Sequence, residues 1–420
     1  MSITPTSLTA LEILDSRGRP TLLVQLETSA GDLGRAGVPS GASTGSGEAV
    51  ELRDRDATRY DGNGVLTAVS HVDGEIADAL VGRTFLDQSE VDAALIELDG
   101  TPDKSRLGAN AIVGVSMAAA RAFAATRGTA LWRQLTVTGE SPRLPVPHFN
   151  VVNGGAHAAN PLDFQEFMLA PLGAPSYAEA LRAGAEVYAR LRRRLADAGH
   201  ATGLGDEGGF APDLAHPDQV LELLVAAIGD AGYETGDRGV AIALDPAASE
   251  FRRNGLYTVA DQRWSSQELV SYYQEMVDRF PVRSIEDGVG EDDDEGWRLL
   301  TERLGERIQL VGDDNFVTNP RIIERAIADG IANAALIKVN QIGTVSETLE
   351  AMTICRRHGY AAMVSHRSGE TPDTFIADLA VGTGCGQLKA GAPARGERTA
   401  KYNRLLEISL EGPDLGFGRP

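Results

Sequence analysis

The sequence is poor in cysteine, in long apolar runs and in basic residues, and each shortage excludes a class of protein. The two cysteines among 420 residues, Cys355 and Cys385, cannot build a disulfide framework, so a reducing cytoplasm fits best. No apolar run is long enough to cross a bilayer. The stretch MSITPTSLTALEILDSRG lacks the basic start and apolar core of a secretion signal. We therefore expect a cytoplasmic protein with no membrane span.

The charge balance narrows the possible partners. Lys and Arg number 39 against 60 Asp and Glu, which gives a formal net charge of −21. Nucleic acids and anionic membranes need broad basic surfaces, so neither is expected as a partner. A small anion can still bind where local cations or metal ions reverse the field.

The chain is long enough for one large domain and a smaller one. Residues 1–135 begin with two alternating stretches, ALEIL and TLLVQLE, and later contain an Ala-rich helical pattern near 110–127. They predict a small α+β capping domain with a Gly/Ser lid loop, PSGASTGSGE. The proline-rich segment TVTGESPRLP marks the junction to a second domain over residues 136–420.

From Val240 onward a short apolar strand, a polar strand end and a helix recur as one unit. The strand ends are Asp245, Glu286, Asp313, Lys338, His366 and Lys389. Two of the helices carry start signals, Pro320 at a first helical position and a capping box from Thr344 to Glu347. Repeated βα units predict a parallel sheet, and six chemically active strand ends favour a (β/α)₈-type barrel, whose strand ends meet at one mouth.

Three successive strand ends are carboxylates, Asp245, Glu286 and Asp313. Such an oxygen-only set suits Mg²⁺, and no Cys or His stands in the register that zinc needs. Each acid taken alone is also compatible with a strand-terminal turn or a helix cap. Three in consecutive βα units favour a metal site.

The following strand ends carry positive charge. Lys338 lies in the apolar stretch LIKVNQIGT directly after the three acids, and Lys389 follows later. A lysine beside Mg²⁺ and a second lysine is expected to have a lowered pKa, and its neutral amine can then act as a base. The alternative is a lysine whose stem packs while its ammonium reaches water or an acid.

Other candidates lie in loops. GLGDEGGFAP contains Glu207 among glycines that allow close backbone approach, QEF contains Glu166, and NGGAHAAN contains His157. Each is also compatible with a structural turn or a packed side chain. The run 41–45 around Ser43 matches the G-x-S-x-G elbow of serine hydrolases, but Pro39 and the following Ser46-Gly47 predict a mobile lid instead of a strand-to-helix turn.

These motifs together resemble the enolase family, and the resemblance runs from about Leu11 to Leu406. The matching stretches are DSRGRPT, VPSGASTG, EAVELRD, SRLGANAIVGVSMA, NGGAHA, DFQEFM, GDEGGFAP, SIEDG, GDDNFVTNP, LIKVNQIGT, SHRSGET, KAGAPAR and AKYN. The resemblance implies a barrel in which one early strand runs antiparallel. It also implies a phosphopyruvate hydratase of glycolysis that converts 2-phosphoglycerate to phosphoenolpyruvate with two Mg²⁺ ions per site.

The resemblance assigns roles to residues of this chain. Lys338 would be the base and Glu207 the acid, supported by Glu166, with His157 and His366 lining the pocket. Asp245, Glu286 and Asp313 would bind the first Mg²⁺, and Ser43 would help to hold the second. The substrate-binding set would be Ser43, His157, Glu166, Glu286, Asp313, His366, Arg367, Ser368 and Lys389, with Arg367 and Ser368 on the phosphate and Lys389 on the carboxylate.

Three neighbours of the site depart from the usual family pattern: His148, Pro246 and Asn315. They leave open a relative that acts on a phosphonate analogue in secondary metabolism. A binding or structural protein that keeps the fold without the chemistry is a further alternative. The resemblance also implies a homodimer or higher homo-oligomer.

Overall fold

The computed structural model describes residues 1–42, 44–137 and 139–418. The chain begins with a three-stranded antiparallel sheet of β1 (Pro5–Leu14), β2 (Pro20–Thr28) and β3 (Leu33–Gly37). The turn between β1 and β2 is closed by the Asp15 carboxylate, which accepts hydrogen bonds from the backbone N–H groups of Arg17 and Arg19. The DSRG motif therefore builds a tight hairpin.

Helices follow this sheet and cover one of its faces. They are α1 (Leu66–His71), α2 (Ala77–Leu80), α3 (Gln88–Asp99), α4 (Ala109–Thr126) and α5 (Leu131–Gln134), with a π-helical turn at Val72–Ile76 and a 3₁₀ turn at Tyr60–Gly62. Helix α4 lies so close to β3 that a Cβ at Gly34 would stand 1.9 Å from the carbonyl oxygen of Ala118. Among the described residues, α4 alone is long and apolar enough to cross a membrane, and 83% of its window is buried inside the protein.

Eight strands after residue 145 close into a barrel. They are β5 (Val146–Asn153), β6 (Glu166–Ala170), β7 (Ala241–Asp245), β11 (Val282–Glu286), β12 (Gln309–Gly312), β13 (Ala334–Ile337), β14 (Ala361–Ser365) and β15 (Gln387–Lys389). Strand β6 runs antiparallel to both β5 and β7, while the other neighbouring pairs are parallel. The all-parallel expectation from the βα repeats is therefore wrong, and the antiparallel strand implied by the family resemblance is confirmed.

The remaining strands are short and lie outside the barrel. They are β4 (Arg143–Leu144) paired with β16 (Gly416–Phe417), and a small sheet of β8 (Arg252–Arg253), β9 (Leu256–Val259) and β10 (Gln262–Trp264). The other helices are α6 (Tyr177–Asp197), α7 (Pro217–Asp230), α8 (Ser266–Arg279), α9 (Asp294–Leu304), α10 (Pro320–Ala328), α11 (Val339–Ile342), α12 (Val345–Arg357), α13 (Phe375–Thr383) and α14 (Gly396–Glu411).

Both predicted helix starts are found, although the Thr344–Glu347 capping box is only half formed. Pro320 opens α10, and the Asn319 side chain before it accepts from the backbone N–H of Arg321. At α12 the Thr344 hydroxyl accepts from the Glu347 N–H and donates to the Glu347 carboxylate. Local capping chemistry therefore fixes where both helices begin.

The lower part of the barrel interior, near the amino ends of the parallel strands, contains a ladder of neutral polar side chains. Gln387 donates from Nε2 to Gln309 Oε1 at 2.9 Å, and Gln309 donates from Nε2 to Ser284 Oγ at 3.1 Å. All three residues are buried. These side chains thus link β15 across the barrel interior to β12, and β12 to its neighbour β11.

Candidate active site

The carboxylates at the ends of β7 and β11, with Asp313 directly after β12, share one end of the barrel. These strands are neighbours in the closed sheet, so Asp245, Glu286 and Asp313 lie along one edge of its mouth, and all three are buried. Lys389 reaches the same edge, with Nζ 3.1 Å from Asp245 Oδ2 and 2.8 Å from Glu286 Oε1. Side chains of opposite charge therefore meet at this edge, as the pattern of strand ends predicts.

The reversed strand β6 explains how Glu166 joins this group. Because β6 is antiparallel to its neighbours, its first residue, rather than its last, lies at the mouth. Glu166 is directly opposite Asp245 in the register with β7, and its Oε2 lies 3.1 Å from Lys389 Nζ. Burial raises the pKa of Glu166 well above its ordinary value, and the nearby Glu207 raises it further.

Lys338 follows β13 and caps the short helix α11. Its ammonium forms an ion pair with the Asp313 carboxylate, and its side chain is 11% exposed. Desolvation alone would lower the pKa of Lys338, but the negative charges of Asp313 and Glu286 together oppose it and the pKa is raised. The expected lowering of this pKa, which depends on Mg²⁺ beside the amine, stays a prediction, and the contact with Asp313 favours the charged amine.

Glu207 lies in the glycine-rich loop between α6 and α7, between two histidines. His366 Nε2 is 3.2 Å from Glu207 Oε2, and His157 Nδ1 is 3.7 Å from Glu207 Oε1. Asn150 donates to the same carboxylate at 2.9 Å. Burial alone would raise the pKa of Glu207, but His157, His366 and Arg398 hold it well below its ordinary value. In the coupled pair with Glu166, the negative charge therefore resides on Glu207.

The loop after β14 presents Arg367 and Ser368. Arg367 forms a two-pronged ion pair with Glu48, at 2.9 Å from Nη1 and 3.1 Å from Nη2, and the Ser368 hydroxyl lies 2.9 Å from His157 Nε2. Both residues are buried. A guanidinium and a hydroxyl on adjacent residues are suited to an oxyanion such as phosphate.

One narrow cavity brings together most of the candidate residues. It is lined by His157, Gln165, Glu166, Glu207, Asp245, Lys338, His366, Arg367, Ser368 and Lys389. Glu286 and Asp313 adjoin it through their ion pairs with the two lysines. Ser43, the proposed lid residue, lies outside the described residues.

Several contributors to the site were missed from the sequence. Asp287 accepts from the backbone N–H groups of Asp313 and Asp314, and Gln341 donates to Asp313 Oδ1 at 2.8 Å. Glu48 pairs with Arg367 across the two parts of the chain. Asp287 and Gln341 stand within the SIEDG and LIKVNQIGT motifs that were recognised, so polarity inside those motifs was an available signal. Glu48 also begins a recognised motif, EAVELRD, but its pairing with a residue 319 positions away could not be read from the sequence.

The edge of the mouth formed by Asp245, Glu286 and Asp313, the acidic edge, suits a divalent cation. Glu286 Oε2 is buried without a hydrogen-bond partner, and burial together with Asp245 raises the pKa of Glu286 well above its ordinary value. Atoms that could hold an ion also cluster within 4.8 Å of one another in two groups, a ring nitrogen of His157 with carboxylate oxygens of Glu166 and Glu207, and carboxylate oxygens of Asp287, Asp313 and Asp314. An orphaned carboxylate oxygen among like charges fits a hard metal ion.

The three departures from the family pattern lie beside the site. His148 is buried in β5, with Nδ1 3.3 Å from the carbonyl oxygen of Val146. Pro246 follows the end of β7, where no strand hydrogen bond is needed, and Asn315 Oδ1 is buried without a partner among the described residues. His148 is therefore a packed, hydrogen-bonded residue.

Comparisons with known proteins bear on the whole chain. Residues 6–135 match the family model described as "Enolase, N-terminal domain", and residues 141–415 match "Enolase, C-terminal TIM barrel domain". A curated protein of Rubrobacter xylanophilus named "Enolase" is 58% identical over 399 residues, which cover 94% of this chain and 92% of that protein. The similarity therefore extends over both parts of the fold.

Proposed function

This chain belongs to the enolase family, and from that membership we propose that Lys338 and Glu207 perform its proton transfers. The reaction is the reversible dehydration of 2-phosphoglycerate to phosphoenolpyruvate, catalysed by a metal-dependent phosphopyruvate hydratase, a carbon–oxygen lyase. Lys338 removes the proton from the carbon next to the carboxylate. Glu207 gives a proton to the hydroxyl of the adjacent carbon, which leaves as water when the double bond forms.

The base needs a neutral amine, whereas the ion pair with Asp313 favours the charged one. We propose that Asp245, Glu286 and Asp313 hold one Mg²⁺ and that Ser43 helps to hold a second. Bound ions supply positive charge that stabilises the developing carboxylate charge, and they satisfy carboxylates that otherwise hold the proton on Lys338. The unpartnered Glu286 oxygen supports this assignment.

The proposed acid Glu207 and its neighbour Glu166 are two buried carboxyl groups whose pKa values shift in opposite directions. Glu166 has a raised pKa and Glu207 a lowered one, so a proton held by the pair rests first on Glu166. His157 Nδ1 lies 3.6 Å from Glu166 and 3.7 Å from Glu207, between the two carboxylates. Arrival of an anionic substrate raises the proton affinity of Glu207, which then serves as the acid with Glu166 as its support.

Substrate recognition follows the sites of positive charge. Arg367 and Ser368 bind the phosphate, and Lys389 binds the carboxylate. His157 and His366 line the pocket, and Glu166, Glu286 and Asp313 also border the substrate. The assignment of Ser43 rests on the family resemblance.

The observation that carries the proposal is the Lys338 amine in one cavity with Glu207 and Asp245, where it pairs with Asp313. The test measures the absorbance of phosphoenolpyruvate after 2-phosphoglycerate and Mg²⁺ are added. Turnover is expected in the native protein and in Arg307→Ala, which removes an exposed cation that is paired with Asp278 and does not line the cavity. Lys338→Ala is expected to be inactive but folded, and full activity in that variant would refute the proposed base.

The family match does not favour the phosphonate alternative or a protein without chemistry. We further propose a division into a capping domain over 1–135 and a catalytic domain over 136–420. The position of every barrel strand after residue 145 supports this boundary. A cytoplasmic location is supported by two free thiols, and a homodimer by the family resemblance, which light scattering would test.

A further inference from the structure

We propose that Arg398 is a positioning residue that keeps His366 a neutral imidazole with its Nε2–H directed at Glu207. The functional part of this inference rests on the proposed acid role of Glu207. The structural part, the protonation of one histidine ring, can be measured without substrate or metal.

Arg398 is a completely buried arginine on α14. Its Nη1 lies 2.5 Å from His366 Nδ1 and 2.6 Å from the carbonyl oxygen of Arg367. Both hydrogens of this nitrogen are therefore engaged, one by the imidazole and one by the backbone. A guanidinium has no acceptor atom and does not lose its charge in proteins.

This contact determines the tautomer of His366. Because Nη1 only donates, Nδ1 must present its lone pair, and the single ring hydrogen must be on Nε2. A second proton on Nδ1 would point at a cation at contact distance. Arg398 therefore opposes formation of an imidazolium.

The hydrogen on Nε2 faces the proposed acid. His366 Nε2 lies 3.2 Å from Glu207 Oε2, a close contact that is not yet well aligned and that substrate binding can tighten. The charged groups that bear on His366 are Glu207 on its loop, Lys389 at the end of β15 and Arg398 on α14. Burial, together with Arg398 and Lys389, lowers the pKa of His366 to about 3 despite the opposing effect of Glu207.

Arg398 also fixes the relative position of the two loops that meet at this contact. Its Nη2 donates to the carbonyl oxygen of Ser368 at 2.6 Å and to that of Asp206 at 3.2 Å. One side chain thus connects the loop that carries His366 with the loop that carries Glu207. Arg398 therefore fixes both the orientation of the His366 ring and the ring nitrogen that carries the hydrogen.

The charge of His366 matters for an acid that must gain and lose a proton. An imidazolium beside Glu207 would hold the carboxylate in its anionic form and oppose its protonation. A neutral N–H donor can also bond to the carboxylate, but it favours the anionic form less strongly than an imidazolium does. By keeping His366 neutral, Arg398 limits the positive charge beside Glu207, although its own guanidinium also lowers the pKa of that carboxyl.

The first test is nitrogen-15 spectroscopy of metal-free protein labelled in histidine, with the His366 signal assigned by its loss in His366→Gln. The expected spectrum has a proton on Nε2 and none on Nδ1 between about pH 8 and about pH 5. Glu207→Gln should keep this tautomer, because Arg398 still donates to Nδ1. A proton on Nδ1 in either protein would overturn the inference, whatever the outcome of the activity assays.

The second test changes the arginine. Arg398→Met should raise the pH at which His366 becomes doubly protonated by about one unit or more, whereas Arg398→Lys, which keeps a donor cation, should shift it less. With 2-phosphoglycerate, Arg398→Met should lose about 10- to 100-fold in kcat with a much smaller change in KM.

The matched control is Arg404→Met on the same helix. Arg404 pairs with Asp378 and Glu411, away from the cavity, so this variant should keep both the His366 titration and kcat. An unchanged His366 titration in Arg398→Met would refute the inference. If Arg398→Met does not fold, the tautomer in the native protein and in Glu207→Gln decides the question.

Discussion

The two ends of the barrel interior are built on the same strands but carry opposite kinds of polar chemistry. Strand β11 contributes Ser284 below and Glu286 above, and β15 contributes Gln387 below and Lys389 above. Residues two apart on a strand face the same side, so each pair lines the interior at two heights. The lower layer contains neutral amides and a hydroxyl, and the upper layer contains charged side chains.

The two layers differ in whether their polar side chains find all their hydrogen-bond and charge partners within the layer. In the lower layer the side chains bond to one another, from Gln387 to Gln309 and from Gln309 to Ser284. In the upper layer the carboxylates outnumber the cations, and Glu286 keeps an oxygen without a hydrogen bond. A buried polar layer that is complete contributes to stability, whereas one that lacks counter-charge is prepared for ions and ligand.

The largest expected effect separates the layers by activity. Glu207→Gln keeps the shape of the proposed acid but removes its proton transfer, so kcat should fall about 10²- to 10⁴-fold with little change in thermal stability. Glu222→Gln, on an exposed face of α7, is the control. Phosphoenolpyruvate formation at native rates in Glu207→Gln would remove this residue from the mechanism.

Metal removal should affect only the upper layer. Chelation should abolish activity reversibly, and Mg²⁺ at one hundred times its dissociation constant should stabilise the native protein by about 2.7 kcal/mol. Calorimetry should show most of this gain lost in Glu286→Gln and kept in Gln309→Leu. An equal gain in both variants would place the ion elsewhere.

Gln309→Leu should give the reverse pattern to Glu207→Gln. It removes the centre of the ladder and leaves Gln387 and Ser284 each without that partner, so unfolding in urea should show a loss of about 2 kcal/mol. The value of kcat should stay within about two-fold, since the substitution lies below the reacting groups. A large loss of activity in a well-folded variant would mean that the two layers are coupled.

The smallest effect concerns a charge pair that is complete without a metal. Burial alone would raise the pKa of Asp373, but Arg121 on α4 and two backbone N–H donors lower it. A lowered carboxyl pKa contributes stability above its unfolded value, near pH 4, that is lost as pH falls through the folded value. Asp373→Asn should cost about 1 kcal/mol at neutral pH.

The difference in unfolding free energy between native protein and Asp373→Asn isolates this group from the mouth carboxyls. It should shrink below about pH 4 and be unaffected by Mg²⁺. Glu166 and Glu286, with raised pKa values, act with the opposite sign, because their charged forms disfavour folding as pH rises. A difference that varied with Mg²⁺ would connect Asp373 to the metal site.

Sequence patterns were sufficient for features that depend on neighbours in the chain. The Thr344 cap of α12 and the helix start at Pro320 follow from bonds within one turn, and the placement of Asp245 and Lys389 at one mouth follows from the βα repeat. The contacts of Arg398 with His366 could not be predicted in this way. They join α14 to the loop after β14, and no periodicity in the chain marks such a pair.

The sequence by itself determined the architecture, the acidic and basic strand ends and the family, because alternating apolar patterns and ordered motifs are written locally along the chain. Only the tertiary structure decided which charge meets which partner: Asp313 raises the pKa of Lys338, Glu48 pairs with Arg367, and Arg398 contacts His366. Proton affinities depend on distance and burial between groups hundreds of residues apart, and those quantities exist only after the chain has folded.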